Sequence, residues 1–105
     1  MSSESDVVDR QEEHRFLHVE EGLEAQLVYR AEPGKLVLVH TEVPSELGGR
    51  GLAGRLVEAA VERAERTGET VLPWCPYARR WLEGHPDAAA RITVDSSDPP
   101  RPASA

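Results

Sequence analysis

The chain has 105 residues, 39% of them hydrophobic and 30% charged, with a formal net charge of −7. That length suits one small domain with a modest core. The single cysteine excludes an internal disulfide and a cysteine-based zinc site, and it suits a reducing, cytoplasmic setting.

The charge is unevenly spread. Residues 1–24 carry eight acidic and two basic side chains, residues 25–94 carry nine of each, and residues 95–105 add a net −1. The acidity therefore sits in the N-terminal part, and the body is balanced. No basic stripe with interleaved aromatics occurs, so nucleic acid is not an expected partner. No apolar run approaches the ~20 residues of a membrane span, and the acidic, polar start does not read as a secretory leader.

In chain order, residues 1–13 are rich in Ser, Asp and Glu and read as a disordered acidic tail. The foldable domain is expected over residues 14–94. Arg15 to Glu20 reads as a first strand. Glu21-Gly22 is a turn, and Leu23, Ala25, Leu27 and Tyr29 alternate with polar neighbours as a second, half-buried strand. Glu32-Pro33-Gly34-Lys35 is the next turn, with Gly34 able to take a positive φ. Leu36 to Val43 is a third strand, apolar enough in its first half for burial on both faces. These three strands are expected to form an antiparallel meander.

From Leu52 the apolar positions 52, 53, 56, 57, 60, 61 and 64 share one face at helical spacing, and Gly68 is the expected C-cap. Thr70 to Trp74 reads as a fourth strand. A strand–helix–strand connection of this kind is normally parallel and right-handed, so the third and fourth strands should lie side by side. Pro76 opens a short helix, Tyr77 to Glu83, which Gly84-His85-Pro86 ends. Ala88 to Val94 stays open between helix and strand. Residues 95–105 read as a second, Pro- and Ser-rich tail. The fold class expected is mixed α/β with helices packed on the sheet.

The run Gly48-Gly49-Arg50-Gly51-Leu52-Ala53-Gly54-Arg55 joins the third strand to the long helix. Glycines there let backbone N–H groups approach an anion, which the helix dipole also favours. A phosphate-bearing ligand is the leading reading. There is no Gly-Lys-Ser/Thr ending for a nucleoside triphosphate. Gly49, Gly51 and Gly54 match the dinucleotide glycine pattern, but the next strand ends at Pro73-Trp74-Cys75 without the carboxylate that would hold a ribose.

The segment resembles the acetyl-CoA pyrophosphate loop of the GCN5-related N-acetyltransferases, with the pattern Gln/Arg-x-x-Gly-x-Gly/Ala. Gly51 and Ala53 match its last two fixed positions, and Gly48 stands where the family has Gln or Arg. The chain is similar in particular to small single-domain members of the YjdJ type. His40-Thr41-Glu42-Val43-Pro44 before the loop and Cys75-Pro76-Tyr77 after the fourth strand carry that likeness, with His85-Pro86 also fitting. The resemblance runs from about Arg15 to about Ala90. It implies a minimal acyl-CoA N-acyltransferase fold without the helices that usually follow the first strand, and hence a shallow acceptor side.

The resemblance further implies acetyl-CoA as cosubstrate, no metal, and an amine acceptor that is a small molecule or a protein. It places the cofactor on Val43 and on Gly48, Gly49, Arg50, Gly51, Leu52, Ala53, Gly54 and Arg55. Glu42 and His40, on one strand face by the period of two, are the candidate general bases, with a partly buried, singly hydrogen-bonded role the alternative for His40. Tyr77 matches the tyrosine that protonates the departing thiolate in the larger family. Cys75 precedes a helix N-terminus, which favours a thiolate. It is a candidate for acylation, although the family works by direct attack of the amine. A non-catalytic CoA-binding module is the competing function, and a monomer or weak homodimer is expected.

Overall fold

The structure, a computed structural model, describes residues 7–49 and 51–97. Six strands form one sheet in sequence order. They are β1 (Val8–Arg10), β2 (Arg15–Glu20), β3 (Leu23–Glu32), β4 (Lys35–Glu42), β5 (Thr70–Pro73) and β6 (Thr93–Val94). Helix α1 (Leu52–Thr67) joins β4 to β5, and α2 (Pro76–Gly84) and α3 (Pro86–Ala89) lie between β5 and β6. β1 to β4 pair antiparallel, while β4–β5 and β5–β6 are parallel. The expected meander and its parallel fourth strand are both present. Gly68 ends α1 at φ 81°, with its N–H on the Ala64 carbonyl.

The core lies between one sheet face and the helices. Phe16, Ala25, Leu27, Tyr29, Leu36 and Leu38 meet Leu56, Val57, Ala60 and Val61 of α1 and Ala78 and Leu82 of α2. Burial of this kind stabilises by about 1.5–3 kcal/mol for each large apolar side chain. Among the described residues no helix covers the opposite sheet face. Val8 pairs with Leu17, which alternates with core-facing Phe16, so Val8 and Val19 both lie on that open face at 55% and 56% exposure.

The structure corrects the reading of residues 1–13 as a tail. Val8–Arg10 is a strand paired with β2, and Gln11–Glu13 forms a turn of 3-10 helix. The cause is a long-range charge cluster. Asp9 accepts from the Tyr29 hydroxyl at 2.5 Å and from Arg63 at 3.0 Å, and Arg63 also donates to the Tyr29 oxygen at 2.8 Å and to Glu69 at 3.0 and 3.2 Å. Arg63 lies 4.9 Å from the Tyr29 ring centroid. Local composition counts Asp9 as solvated acidity, whereas the fold gives it a cation and a phenol.

The reading of 95–105 as a tail is corrected at its start. The Asp95 N–H donates to the Val71 carbonyl, Ser97 donates to the Asp95 carboxylate, and Arg79 donates to the Ser96 carbonyl. The rest of both tails lies outside the described residues. The open segment 88–94 resolves into the end of α3 and β6.

Asp9→Ala should lower stability by about 1.5–3 kcal/mol, the value of a hydrogen bond to a charged partner, as read by urea unfolding. Burial, and then the Asp9 hydrogen bond, push the Tyr29 phenol up to about 12. A raised phenol favours the folded state below the ordinary value of 10, and that contribution fades as pH climbs towards 12. Melting curves across alkaline pH should show this loss in the wild type, and Tyr29→Phe should remove that part of the slope.

Candidate functional site

The site begins where the β4–β5 ladder stops. The register runs Lys35–Thr70, Leu36–Val71, Val37–Leu72 and Leu38–Pro73. The Trp74 N–H then turns back onto the Leu72 carbonyl at 3.0 Å. β4 runs on to Glu42, but β5 ends at Pro73, and one further backbone bond, Cys75 N–H to the Leu38 carbonyl at 2.8 Å, turns the chain into α2. Beyond Leu38 the β5-side edge of β4 opens into a mouth.

A β-bulge sets what lines that mouth. Val28 pairs with His40 and Tyr29 with Leu38, so Val39 is the extra residue in β4. Strict alternation from Leu36 and Leu38 would point His40 and Glu42 into the core. The bulge reverses the order. His40 and Glu42 emerge on the open sheet face, and Thr41 turns towards the helices. Thr41 Oγ1 then lies 3.1 Å from Cys75 Sγ, joining β4 to the start of α2 across the mouth.

The four candidate catalytic residues therefore divide between the two faces. On the open face, His40 Nε2 lies 3.4 Å from Glu42 Oε2, with side chains 57% and 60% exposed. The alternative of a partly buried His40 is corrected by this exposure. Gln26 donates to Glu42 at 2.8 Å. The Gln26 amide and then His40 hold the Glu42 carboxyl below its ordinary range, which makes Glu42 a weaker base.

On the helix side, Cys75 is the N-cap residue of α2 and 3% exposed within the core. Tyr77 packs at the core edge, its hydroxyl 3.5 Å from the point where a Cβ on Gly54 would stand. Burial, and then the neighbouring Cys75, push the Tyr77 phenol up, which keeps it a proton donor. The side-chain bridge from Thr41 to Cys75 was not anticipated. Its two ends are 34 residues apart, and the bulge that aims Thr41 leaves no local signal.

The glycine loop is pinned at both ends by buried Leu47 and Leu52, at 0% and 2% exposure. Ser45–Leu47 is a 3-10 turn after Pro44, and Val43 packs against the core. Gly49 and Gly51 take φ 79° and 74°, the left-handed region that side chains disfavour. Gly51 is the N-cap of α1, and no side chain caps that helix. The first N–H groups of a 16-residue helix, over Leu52, Ala53 and Gly54, are thus presented without a capping group, which is the arrangement an anion fits. Arg55 follows on the first turn, and Arg50 lies outside the described residues.

Two glycines behave differently from expectation. Gly48 is extended, at φ −66° and ψ 157°, so its backbone does not require glycine, although a Cβ would stand 3.2 Å from the Ser45 carbonyl oxygen. Gly54 serves helix packing, because a Cβ there would stand 2.7 Å from Trp81 Nε1. Among the described residues no three His, Cys, Asp or Glu side chains gather into a metal-binding group, and no helix is long and apolar enough to cross a membrane.

Gly51→Ala should cost about 1–2 kcal/mol of stability without ligand, from left-handed backbone strain alone. A Cβ there meets nothing within 4 Å, so a loss of that size in a denaturant melt would isolate the strain. Glu42 should titrate below its ordinary range in a carboxyl-detected NMR titration, and Gln26→Leu should raise it. Its small contribution to stability is in place above the ordinary carboxylate value and is lost as pH falls through the lowered one.

No curated protein matches the chain. The chain is similar to the NMR solution structure of a GCN5-like candidate N-acetyltransferase from Staphylococcus aureus, with 25% identity, a TM-score of 0.66, and coverage of 90% of this chain and 94% of that one. Residues 15–92 match the family model described as GCN5-related N-acetyl-transferase, and the chain belongs to that family of acyltransferases.

Proposed function

We propose that the chain transfers an acetyl group from acetyl-CoA to an amine at the mouth between β4 and β5. The observation that carries this reading is the uncapped N-terminus of α1 behind two left-handed glycines, set beside a mouth that the β4–β5 ladder leaves open. Backbone N–H groups from Gly49 to Ala53 would hold the pyrophosphate, with Arg50 and Arg55 adding charge. Val43 would border the adjoining chain of the ligand at the β4 edge.

The chemistry is a direct displacement. The amine nitrogen bonds to the thioester carbonyl carbon, the carbon–sulfur bond breaks, and the amine proton must leave. His40 is the favoured acceptor of that proton. Glu42, the weaker base, sits where it can steady an imidazolium. The leaving thiolate takes its proton from Tyr77, which burial keeps protonated. A backbone N–H around Thr41 to Val43 would face the oxyanion. The bare sheet face beside His40 fits an acceptor amine carried on a bulky molecule or a protein. In this scheme Cys75 packs, held by Thr41.

Acetyl-CoA titrated into labelled protein should shift amides of residues 42–44 and 49–53 above all others, and a response confined to the termini would sink the reading. Gly48→Gln should tighten CoA binding severalfold by supplying the family's side chain over the pyrophosphate, as measured by calorimetry. Incubation with acetyl-CoA and no acceptor should leave the intact mass unchanged. A stoichiometric, hydroxylamine-labile acetyl adduct on Cys75 would replace direct transfer by a two-step route. CoA binding without thiol release across amine pools would leave only the binding module.

A further inference from the structure

The open sheet face carries a further feature beside His40. Arg30 pairs with Val37, and Val37 pairs with Leu72, so these three side chains stand together on that face. Trp74 lies two residues beyond Leu72 and returns to the same face. Its ring centroid is 5.7 Å from the Arg30 guanidinium carbon. Arg30 belongs to β3 and Trp74 follows β5, so the indole reaches back over β4 to meet the guanidinium. Val37, on the strand between them, is 1% exposed, although among the described residues no helix covers it. The indole N–H is buried and makes no hydrogen bond. The ring is thus held by packing and by the cation, and its one donor is unmatched.

Arg30 donates to Glu32 at 2.8 Å, on the side away from the mouth, because Glu32 pairs with Lys35 at the β3–β4 turn. The two side chains are 59% and 38% exposed, and a pair so exposed contributes little and yields to another carboxylate. Arg15, the neighbouring guanidinium on this face, is instead tied to Glu13, Glu24 and Gln26. His40 pairs with Val28, two residues before Arg30, so His40 and Arg30 are diagonal neighbours rooted about 7–8 Å apart on one face. A proton acceptor at one end and a stacked, planar cation at the other complement an amine that bears a carboxylate on the same short skeleton. A simple diamine would set like charge against Arg30. We propose that the acceptor is an aminocarboxylate, an amino acid or a longer-chain analogue, with its amine at His40 and its carboxylate held by Arg30 against Trp74. The inference rests on acetyl transfer at the mouth and adds the class of acceptor.

Thiol release from acetyl-CoA by the full chain, followed with paired acceptors that differ in a carboxylate, tests it. The pairs are phenylalanine with phenethylamine, ornithine with putrescine, and β-alanine with ethylamine. In the wild type kcat/KM should favour the carboxylate member of at least one pair by about tenfold, the scale of a hydrogen bond between charged partners. Arg30→Gln should abolish that preference and leave the carboxylate-free member unchanged, with the thermal melt still cooperative. Arg30→Glu should reverse the preference. In the CoA-bound protein the Trp74 indole N–H signal, assigned through Trp74→Phe, should move when the favoured aminocarboxylate is added and stay when its carboxylate-free counterpart is added. Equal turnover of both members of every pair, a preference that survives Arg30→Gln, or an indole signal that does not respond would overturn the inference and leave acetyl transfer standing. Turnover confined to carboxylate-free or protein-borne amines would do the same. CoA binding without thiol release to any amine would overturn both.

Discussion

The early end of the β4–β5 ladder is the constraint on which the rest of the molecule depends. Two parallel strands that stayed paired along their length would close the sheet and leave the glycine loop as an ordinary connection. After Pro73 the pairing ends on one side, because the Trp74 N–H turns back onto the Leu72 carbonyl. The bulge at Val39 ends the regular alternation on the other. The two act together. The first opens a gap, and the second decides that Thr41 faces across it towards Cys75 while His40 and Glu42 face the opposite way. β5 enters α2 almost at once, whereas β4 reaches α1 through the loop that holds the 3-10 turn, and the first turns of α1 and α2 meet where Gly54 faces Tyr77.

Holding that region open needs a firm frame, and the frame is tied at the far end of α1. Arg63 is 11% exposed and binds Asp9, Tyr29 and Glu69, which belong to β1, β3 and the turn before β5. Removing one partner would leave a largely buried charge short of its complement, which costs more than the intact pair contributes. The cluster therefore fixes the position of α1 on the sheet as well as adding stability. Since the anion-facing end of α1 is the start of the same rigid rod, the placement of the loop against β4 is referred back to Asp9. A segment that composition would assign to solvent thus helps aim the site.

Much of this was legible in the sequence. The period of two in Leu23–Tyr29 and the period of 3.6 from Leu52 gave β3 and α1, and Gly68 marked the helix end where the backbone does turn left-handed. The loop glycines and the flanking runs at His40 and Cys75 identified the family. What escaped were features that depend on distant partners. β1 has three residues and no apolar pattern of its own, and its Asp9 is bound by Arg63, 54 residues away. The bulge changes which side His40 faces without changing a residue. Gly54 reads as part of a phosphate motif, yet its missing Cβ is occupied by Trp81. In each case the local signal was real and the tertiary contact decided its meaning.

The division of functional groups between the two sheet faces bears on how so small a fold can run an acyl transfer. Among the described residues no helix covers the face that carries His40 and Glu42, although Leu17, Val37 and Leu72 on it are buried. Arg30 lies 5.7 Å from the Trp74 ring centroid beside the mouth, and Val8 and Val19 stand exposed further along. In the proposed reaction the thioester is held by groups on the helix side and the amine arrives from the open side, so the sheet itself separates donor from acceptor. Proton acceptance and proton return then occur on opposite sides of the reacting carbon, which suits an attack and a departure along one line. The acceptor must bring much of its own surface, because the fold supplies only strands there. Selectivity on that side would come from shape and charge carried by the acceptor, and selectivity on the other from the loop.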